Sequence, residues 1–436
     1  MAVNRGASGV LQWAQAHPLL SVWILAFLVR VAAVLVAHRL IPEYLVAADT
    51  VGSYLPIARG LAEGRGFLLE GNEYIATRIP PLFPLWLSIW LRLFPGELPL
   101  LALGIANAAW RATGCLFLYR LSRAAFGERA AAWSTLVYLL DPWEALWVGY
   151  VLKESLTLPL FLFGVWQLSR LHADPTHRRA LLAGAAAGLA VLARYPSLVL
   201  WPAGLLLLFL ARSPGGESAP LHRRSSALLA VLFTAGMLVP LSPWLARNWR
   251  VTGFPVLSTE FIGRYLYTSN SPEKIRETGG YADTEGLNTA ILQADNRRRK
   301  VLESESASFQ RAVGGIFGDP MNFLLRLGSK VVNMWRPTFG TASPRNLLFL
   351  GGPYLLFLAL SLAGLVTAWR RRIPCAVIVT PLGILVLLHL VFWAEIRNRQ
   401  YLMPLLYCFA GLFLATYVRP RDSRPEERPG ADGAAD

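Results

Sequence analysis

The sequence predicts an all-α, polytopic membrane protein: a transmembrane helical bundle of about ten spans, with an interfacial helix in its first outer loop and a mostly helical outer segment. Three observations carry that reading. Hydrophobic residues make up 54% of the chain and charged residues 16%, against about 25% charged in an ordinary soluble domain, and mean hydropathy is +0.42. The apolar residues come in blocks of helix length separated by short polar clusters. Lipid demands that pattern, because each segment must satisfy its own backbone hydrogen bonds where no water is present. The arginine clusters follow every second block, as the positive-inside rule requires.

The first block, Leu19 to His38, has no small-residue cleavage signal and runs past signal-peptide length, so it reads as a retained signal-anchor helix. The first outer loop, residues 39–97, follows. Within it Trp86 to Phe94 is apolar, but it follows Pro80, Pro81 and Pro84, contains Arg92 and is short for a span. These features predict an amphipathic helix at the outer interface; a tilted span there would invert every later loop and put the arginine clusters outside. Spans are expected at Leu98 to Leu121, Ala130 to Val148, Leu156 to Leu171, Ala180 to Ala193, Ser197 to Ala211 and Ser226 to Leu245. Three more follow the outer segment, at Leu347 to Trp369, Pro374 to Trp393 and Tyr401 to Val418. Asp141-Pro142 and Arg194-Tyr195-Pro196 interrupt apolar runs only briefly, so the span count is least defined between 130 and 211.

Charge sets the orientation. One side receives Arg120, Arg123 and Arg129, then Arg170, Arg178 and Arg179, then Arg212, Arg223 and Arg224, then Arg370, Arg371 and Arg372, and finally the tail from Arg419. That side is cytoplasmic and holds both termini. The other side carries the first loop, the 142–154 turn, Arg194, the long segment after Arg247 and the loop Glu395 to Arg399. Four regions result: a membrane domain (1–246), an extracytoplasmic segment (247–346), C-terminal transmembrane helices (347–418) and a cytoplasmic tail (419–436) expected to be disordered. The extracytoplasmic segment is too polar to span. It reads as helix from about Thr284 to Ala312, with a second helix after Asp319-Pro320, where Asp caps and Pro suits the first turn. A lid or substrate platform over the outer face is its expected position.

Several function classes drop out. A net charge of +15 would suggest nucleic acid in a soluble chain; here much of the arginine excess lies in loops and tail, where it orients the protein, and no nucleic-acid partner is expected. Cys115, Cys375 and Cys408 fall in apolar segments, predicting three buried free thiols. The six histidines are scattered singly, so no His/Cys cluster has metal-site spacing. Gly64-Arg65-Gly66 lacks a third glycine and a βαβ context, which excludes a dinucleotide loop.

Chemistry is expected at the outer helix ends. An ionised acid beside lipid is costly unless it faces water or a partner, which makes Asp49 a candidate base or acceptor-orienting group; the competing reading is an N-cap for the helix starting near Thr50. Glu154 is a candidate second acid, or half of a Lys153/Glu154 interface pair at a helix N-terminus. Asp141 and Glu144 are rivals for that place, and Asp141-Pro142 also reads as a helix stop. Arg78, Lys153, Arg194, Arg247 and Arg264 lie on the side that the positive-inside rule depletes, so they are candidate ligands for a phosphate, which a guanidinium can hold bidentately. The alternative for each is an interfacial anchor. Tyr54 and Tyr74 could bind substrate or belong to the aromatic belt.

The order of Asp49, Tyr54, Gly64-Arg65-Gly66-Phe67, Arg78-Ile79-Pro80-Pro81 and Leu82-Phe83-Pro84-Leu85 resembles the GT-C class of membrane glycosyltransferases. It is most similar to the bacterial relatives of protein O-mannosyltransferases and of the lipid A aminoarabinose transferase. Lys153-Glu154-Ser155-Leu156, Pro243 to Trp249 and Glu395 to Tyr401 extend the resemblance over nearly the whole layout of spans. It implies transfer of a hexosyl or pentosyl group from a polyprenyl-phosphate donor to a glycan, lipid or protein acceptor, on the extracytoplasmic face of a prokaryotic plasma membrane. It further implies that Asp49 is the first-loop catalytic acid. Glu154 would help hold substrate or, with Asp49, a divalent cation such as Mg²⁺ or Mn²⁺. Arg78 would be the basic residue before the Pro-Pro pair, from which Ile79 separates it. Arg397 and Arg399 match an Arg-Tyr region without an assigned role. Donor delivery by diffusion within the lipid suits loops that exit at headgroup level. The competing readings are a transporter or flippase of a lipid-linked solute, which should place ionisable groups mid-span, and a surface-glycan polymerase or ligase.

Overall fold

The computed structural model of the chain describes residues 16–40, 46–47, 49–96, 98–211, 223–258, 262–270, 297–338, 343–392, 394 and 396–418. Among these residues the regular structure is helical, apart from the isolated bridges Val46–Val151 and Leu69–Asn72. In chain order the helices are α1 (Pro18–Leu40), α2 (Leu55–Ala62), α3 (Leu82–Leu93), α4 (Leu100–Phe126), α5 (Glu128–Leu140), α6 (Pro142–Gly149), α7 (Glu154–Ala173) and α8 (His177–Ala193). Then come α9 (Leu200–Phe209), α10 (Arg223–Thr252), α11 (Ile262–Asn270), α12 (Arg297–Gly318), α13 (Pro320–Trp335), α14 (Gly352–Arg370), α15 (Ala376–Val391) and α16 (Leu402–Tyr417).

Five of the described helices are long and apolar enough to cross a membrane: Pro18–Leu40, Leu100–Phe126, Arg224–Thr252, Pro344–Arg370 and Ile396–Tyr417. They differ in what surrounds them. Only 17% of the apolar window of Pro18–Leu40 is buried, against 72% for Ile396–Tyr417, so α1 presents most of its surface outward and α16 is the central strut. α16 packs between α5 and α14 and against α4, α4 also lies on α1 and α7, and α7 leads to α8, which lies along α10. Small residues allow the closest of these approaches. A Cβ on Gly188 of α8 would sit 2.6 Å from Pro240 Cγ of α10, and one on Gly184 would sit 2.7 Å from Met237 N.

The expected Ala130 to Val148 span is two helices. Asp141 leaves the helical conformation at ψ 113, Pro142 opens α6, and Asp141 Oδ1 accepts from Trp143 N at 2.9 Å. Likewise α10 runs past Leu245 to Thr252, which places Arg247 and Asn248 on the helix rather than beyond it. The apolar stretch Trp86 to Phe94 falls in α3, a 12-residue helix that buries Phe83, Leu87 and Leu91. With Tyr54, Ile57 and Leu69 these side chains form a core of their own, so the stretch between α1 and α4 contains a folded unit. Cys115 and Cys408 are buried, but Cys375, in the turn before α15, is only half-buried.

Between α12 and α14, Asp319 caps α13 through Asn322 N at 3.0 Å. Lys330 of α13 donates to Asn270 Oδ1 at 2.8 Å and to Val391 O at 3.1 Å, tying α13 to the ends of α11 and α15. The helix expected from Thr284 is described only from Arg297 onward, and the tail 419–436 lies outside the described residues.

Candidate active site

Four chain segments meet at one end of the bundle, each delivered by a helix end or a break. Asp49 opens a wide helical turn, Thr50–Tyr54. That turn is fastened to the segment between α6 and α7, because Thr50 Oγ1 donates to Val151 O at 2.8 Å and Val46 bridges Val151. Lys153 and Glu154 follow directly and start α7. Arg194 ends α8, where Pro196 forces a tight turn. The fourth segment is the turn Ile396–Tyr401 that leads into α16.

Arg397 organises the cluster. Its Nη2 donates to Asp49 Oδ2 at 2.5 Å and its Nε to Glu154 Oε1 at 2.8 Å, so one guanidinium spans both acids. Lys153 Nζ reaches Asp49 Oδ2 at 3.0 Å and lies 4.9 Å from the centre of the Tyr54 ring. Arg194 stacks over Tyr401 at 4.7 Å, donates to Asn398 Oδ1 at 2.8 Å and stands 3.8 Å from Glu154 Oε1. Glu154 is buried, and Asp49 is the more open of the two acids.

Burial raises the proton affinity of the Asp49 carboxyl, but Lys153 and Arg397 outweigh it and hold the group far below the usual carboxylate range. Asp49 is therefore an anion at every physiological pH. Among the buried atoms of the cluster, Asp49 Oδ1, Glu154 Oε2, Arg194 Nη1 and Tyr401 OH are left without a hydrogen-bond partner. Buried polar atoms are rarely left unpaired, and here two carboxylate oxygens, a guanidinium nitrogen and a phenol hydroxyl are left open in one cluster. The cluster can accept from two hydroxyls and donate to an anion.

The structure decides between the readings left open by the sequence. Asp49 makes no capping hydrogen bond; its carboxylate goes to Lys153 and Arg397 instead. Lys153 and Glu154 each bind across the cluster, not to one another. Asp141 and Glu144 belong to a separate buried network. Asp141 accepts from Tyr407 OH at 2.6 Å, while Glu144 pairs with Arg111 at 2.6 Å, and Arg111 reaches Gln400 Oε1 at 3.1 Å. Tyr54 is 5% exposed and packs edge-on against Phe83, supporting Lys153 from below. The Arg247 guanidinium is committed to the first loop: it donates to Thr77 Oγ1 at 2.9 Å and to the carbonyls of Phe67 and Glu73 at 3.0 Å each, stacked between Phe67 and Trp244. Arg78 is half-buried in the turn before Pro80. The side chains of Tyr74 and Arg264 lie outside the described residues.

Arg397, Asn398 and Tyr401 complete the site, although the sequence assigns them no role. The available signal is an arginine, two residues before another, in a loop that the positive-inside pattern assigns to the depleted side.

A model of the dolichyl-phosphate-mannose-protein mannosyltransferase family matches residues 78–246, the stretch that carries Arg78, Lys153, Glu154 and Arg194. No curated protein matches the sequence. The fold is similar to that of the archaeal oligosaccharyltransferase AglB from Archaeoglobus fulgidus in complex with an inhibitory peptide and a dolichol-phosphate: TM-score 0.54, 16% identity, 93% of this chain and 51% of that one. The oligosaccharyltransferase of the same organism in complex with Zn and sulfate gives 0.50 at 16% identity, over 91% and 49%. ArnT from Cupriavidus metallidurans bound to undecaprenyl phosphate gives 0.41 at 18% identity, over 94% and 78%. This chain spans about half the length of the oligosaccharyltransferase it matches. The fold is similar to that of the oligosaccharyltransferase AglB, and the family model covers residues 78–246; both agree with the resemblance that the order of motifs in the sequence implies.

Proposed function

We propose that this chain is an integral-membrane glycosyltransferase that moves a hexosyl or pentosyl group from a polyprenyl-phosphate donor to a glycan, lipid or protein acceptor. It does so at the extracytoplasmic face of a prokaryotic plasma membrane, with both termini in the cytoplasm. One observation carries the reading: Asp49 Oδ1, Glu154 Oε2 and Arg194 Nη1 are buried, lack a hydrogen-bond partner and are gathered around Arg397. The family match and the dolichol-phosphate held by the oligosaccharyltransferase support a lipid-phosphate donor.

In this reaction the acceptor oxygen attacks the anomeric carbon. The bond from that carbon to the phosphate oxygen breaks, and its electron pair leaves with the carrier phosphate. Asp49 Oδ1 receives the acceptor hydroxyl. Because its carboxyl binds protons so weakly, Asp49 works mainly by orienting the nucleophile and takes the proton late, once the forming bond has made that oxygen acidic. Arg194 Nη1 donates to the phosphate as negative charge develops on it, and Lys153 adds positive charge beside it. Glu154 Oε2 accepts from a sugar hydroxyl. Arg397 keeps both acids in register.

A divalent cation is a finer part of the proposal. No group of three His, Cys, Asp or Glu that could hold a metal occurs among the described residues. Were a divalent cation such as Mg²⁺ bound, Asp49 and Glu154 would hold it through Oδ1 and Oε2 in place of the hydroxyls, and it would neutralise charge on the leaving group.

The test is to incubate membranes carrying the full chain with a panel of labelled polyprenyl-phosphate sugars. Label should leave the carrier in the wild type and stay on it in Asp49→Asn. Movement of intact carrier between leaflets without release of label would establish the flippase reading instead.

A further inference from the structure

We infer that the end of the bundle away from Asp49 carries a binding site for the headgroup of an anionic phospholipid, built on the turn that joins α14 to α15. Its place is set by α16, which starts beside the Arg397 turn and ends at Tyr417, over whose ring Arg371 lies at 5.7 Å. At a rise of about 1.5 Å per residue, a helix of that length sets the two ends roughly 24 Å apart.

The turn closes α14 in a form that normally wants glycine. Ile373 N donates to Ala368 O at 2.9 Å and Arg372 N to Trp369 O at 3.1 Å, the paired bonds of a Schellman motif. Its left-handed position is Arg372, at φ 53. Glycine adopts that conformation freely, whereas a side chain there stores strain. A topogenic arginine needs only to be on the right side of the membrane, in any backbone conformation. Holding one in the left-handed region aims it somewhere.

It aims at a cavity. A space of about 670 Å³ opens between the ends of α14 and α15, lined by Arg370, Arg372, Trp369, Leu365, Cys375 and Val379. Its lining combines two arginines with the aliphatic side chains of Leu365, Ile373 and Val379. Trp369 is 78% exposed beside it, as an aromatic ring at headgroup level would be. Leu362 and Val366 of α14 continue outward from the cavity as exposed aliphatic surface, along which acyl chains can lie. No Asp or Glu occurs between Pro344 and Ala394, and neither Arg370 nor Arg372 forms an ion pair among the described residues. A phosphate on a diacyl anchor satisfies the charge, the apolar wall and the depth together, and basic pockets between helices on the cytoplasmic side are where such headgroups bind.

The experiment uses the full chain in lipid nanodiscs and reads the thermal unfolding midpoint. Replacing part of the phosphatidylcholine with phosphatidylglycerol should raise the wild-type midpoint by about 4 °C, through mass action on the folded state. Arg370→Gln/Arg372→Gln should lose that rise. Arg178→Gln, in another loop on the same side, should keep it. Arg372→Gly should raise the midpoint in pure phosphatidylcholine, by relieving the backbone, while losing most of the response to phosphatidylglycerol. Equal responses in wild type and both turn variants would overturn the site, as would a loss in Arg178→Gln matching theirs. A rise of the same size with free glycerol phosphate would overturn the lipid as its occupant.

Discussion

Arg397 Nη2 meets Asp49 Oδ2 at 2.5 Å across 348 residues of chain, while the same guanidinium holds Glu154 through Nε. Lysine keeps the charge but cannot donate in a fixed fork to two acids. Arg397→Lys should therefore lower turnover by about a hundredfold, a loss like that of one preorganised charge contact, with expression maintained. Arg397→Ala leaves the buried Glu154 without its hydrogen-bonded cation, with Lys153 and Arg194 acting on it only at longer range, and should cost about 3–5 kcal/mol of stability. Turnover and unfolding midpoints measured side by side check both. A lysine variant with wild-type turnover would remove the fork from the mechanism.

The acid limb of the pH profile should not belong to Asp49. Burial pushes its carboxyl up, and Lys153 and Arg397 pull it down further than burial raises it. A depressed carboxyl contributes stability that is present above its unfolded value of about 3.9 and is lost only as pH falls through the lower folded value. Between pH 5 and 8, about the range accessible to assay, Asp49 stays ionised throughout. Lys153→Met removes one of its two cations and should bring an acid limb into view in kcat/KM. An acid limb near pH 5 in the wild type, shifted by Asp49→Glu, would contradict the electrostatics of the cluster.

Gln400 should act as a positioning residue. It shares the Ile396–Tyr401 turn with Arg397 and is held by Arg111, which Glu144 holds in turn. Gln400→Leu leaves the Arg111–Glu144 pair intact but frees the turn, so kcat should fall about tenfold, the scale of a small misplacement of reacting groups, with donor KM little changed. Gln400→Glu, which still accepts from Arg111, should recover most of kcat. Equal losses in both variants, or a loss confined to KM, would show that the turn does not depend on this contact.

How far the site is legible in the sequence depends on distance along the chain. Asp49, Lys153 and Arg194 announce themselves because charge at a helix end beside lipid is costly and, for the cations, falls in loops from which the positive-inside pattern withholds arginine. Arg397 carries the same mark, yet its pairing with Asp49 has no spacing signal at that separation. Arg247 shows the converse. An arginine at a helix exit looks alike in sequence whether it faces a phosphate or, as here, Thr77 and two carbonyls. For the fold, block length finds the apolar helices, but only Asp141-Pro142 hints that α5 and α6 are separate. The Gly184 and Gly188 spacing is a readable sign that α8 is approached closely, though it does not say by what.

That spacing supports a final prediction about the scaffold. A methyl on Gly184 would press on backbone atoms of Phe233 and Met237, and one on Gly188 would press on Met237 and Pro240. Backbone cannot swing aside as a flexible side chain can, so α8 and α10 must separate. Overpacking of this kind costs about 1–3 kcal/mol. Gly184→Ala should lower the unfolding midpoint in detergent by several degrees, about 2–4 °C per kcal/mol at this size. It should leave the donor KM near wild type, because α8 reaches the site only through Arg194 at its far end. A methyl on Gly383 of α15 would meet nothing within 4 Å, and Gly383→Ala is the matched control, expected to hold or raise the midpoint by the helix propensity gained. Equal midpoints for Gly184→Ala and Gly383→Ala would show that the two helices do not pack as closely as their backbones indicate.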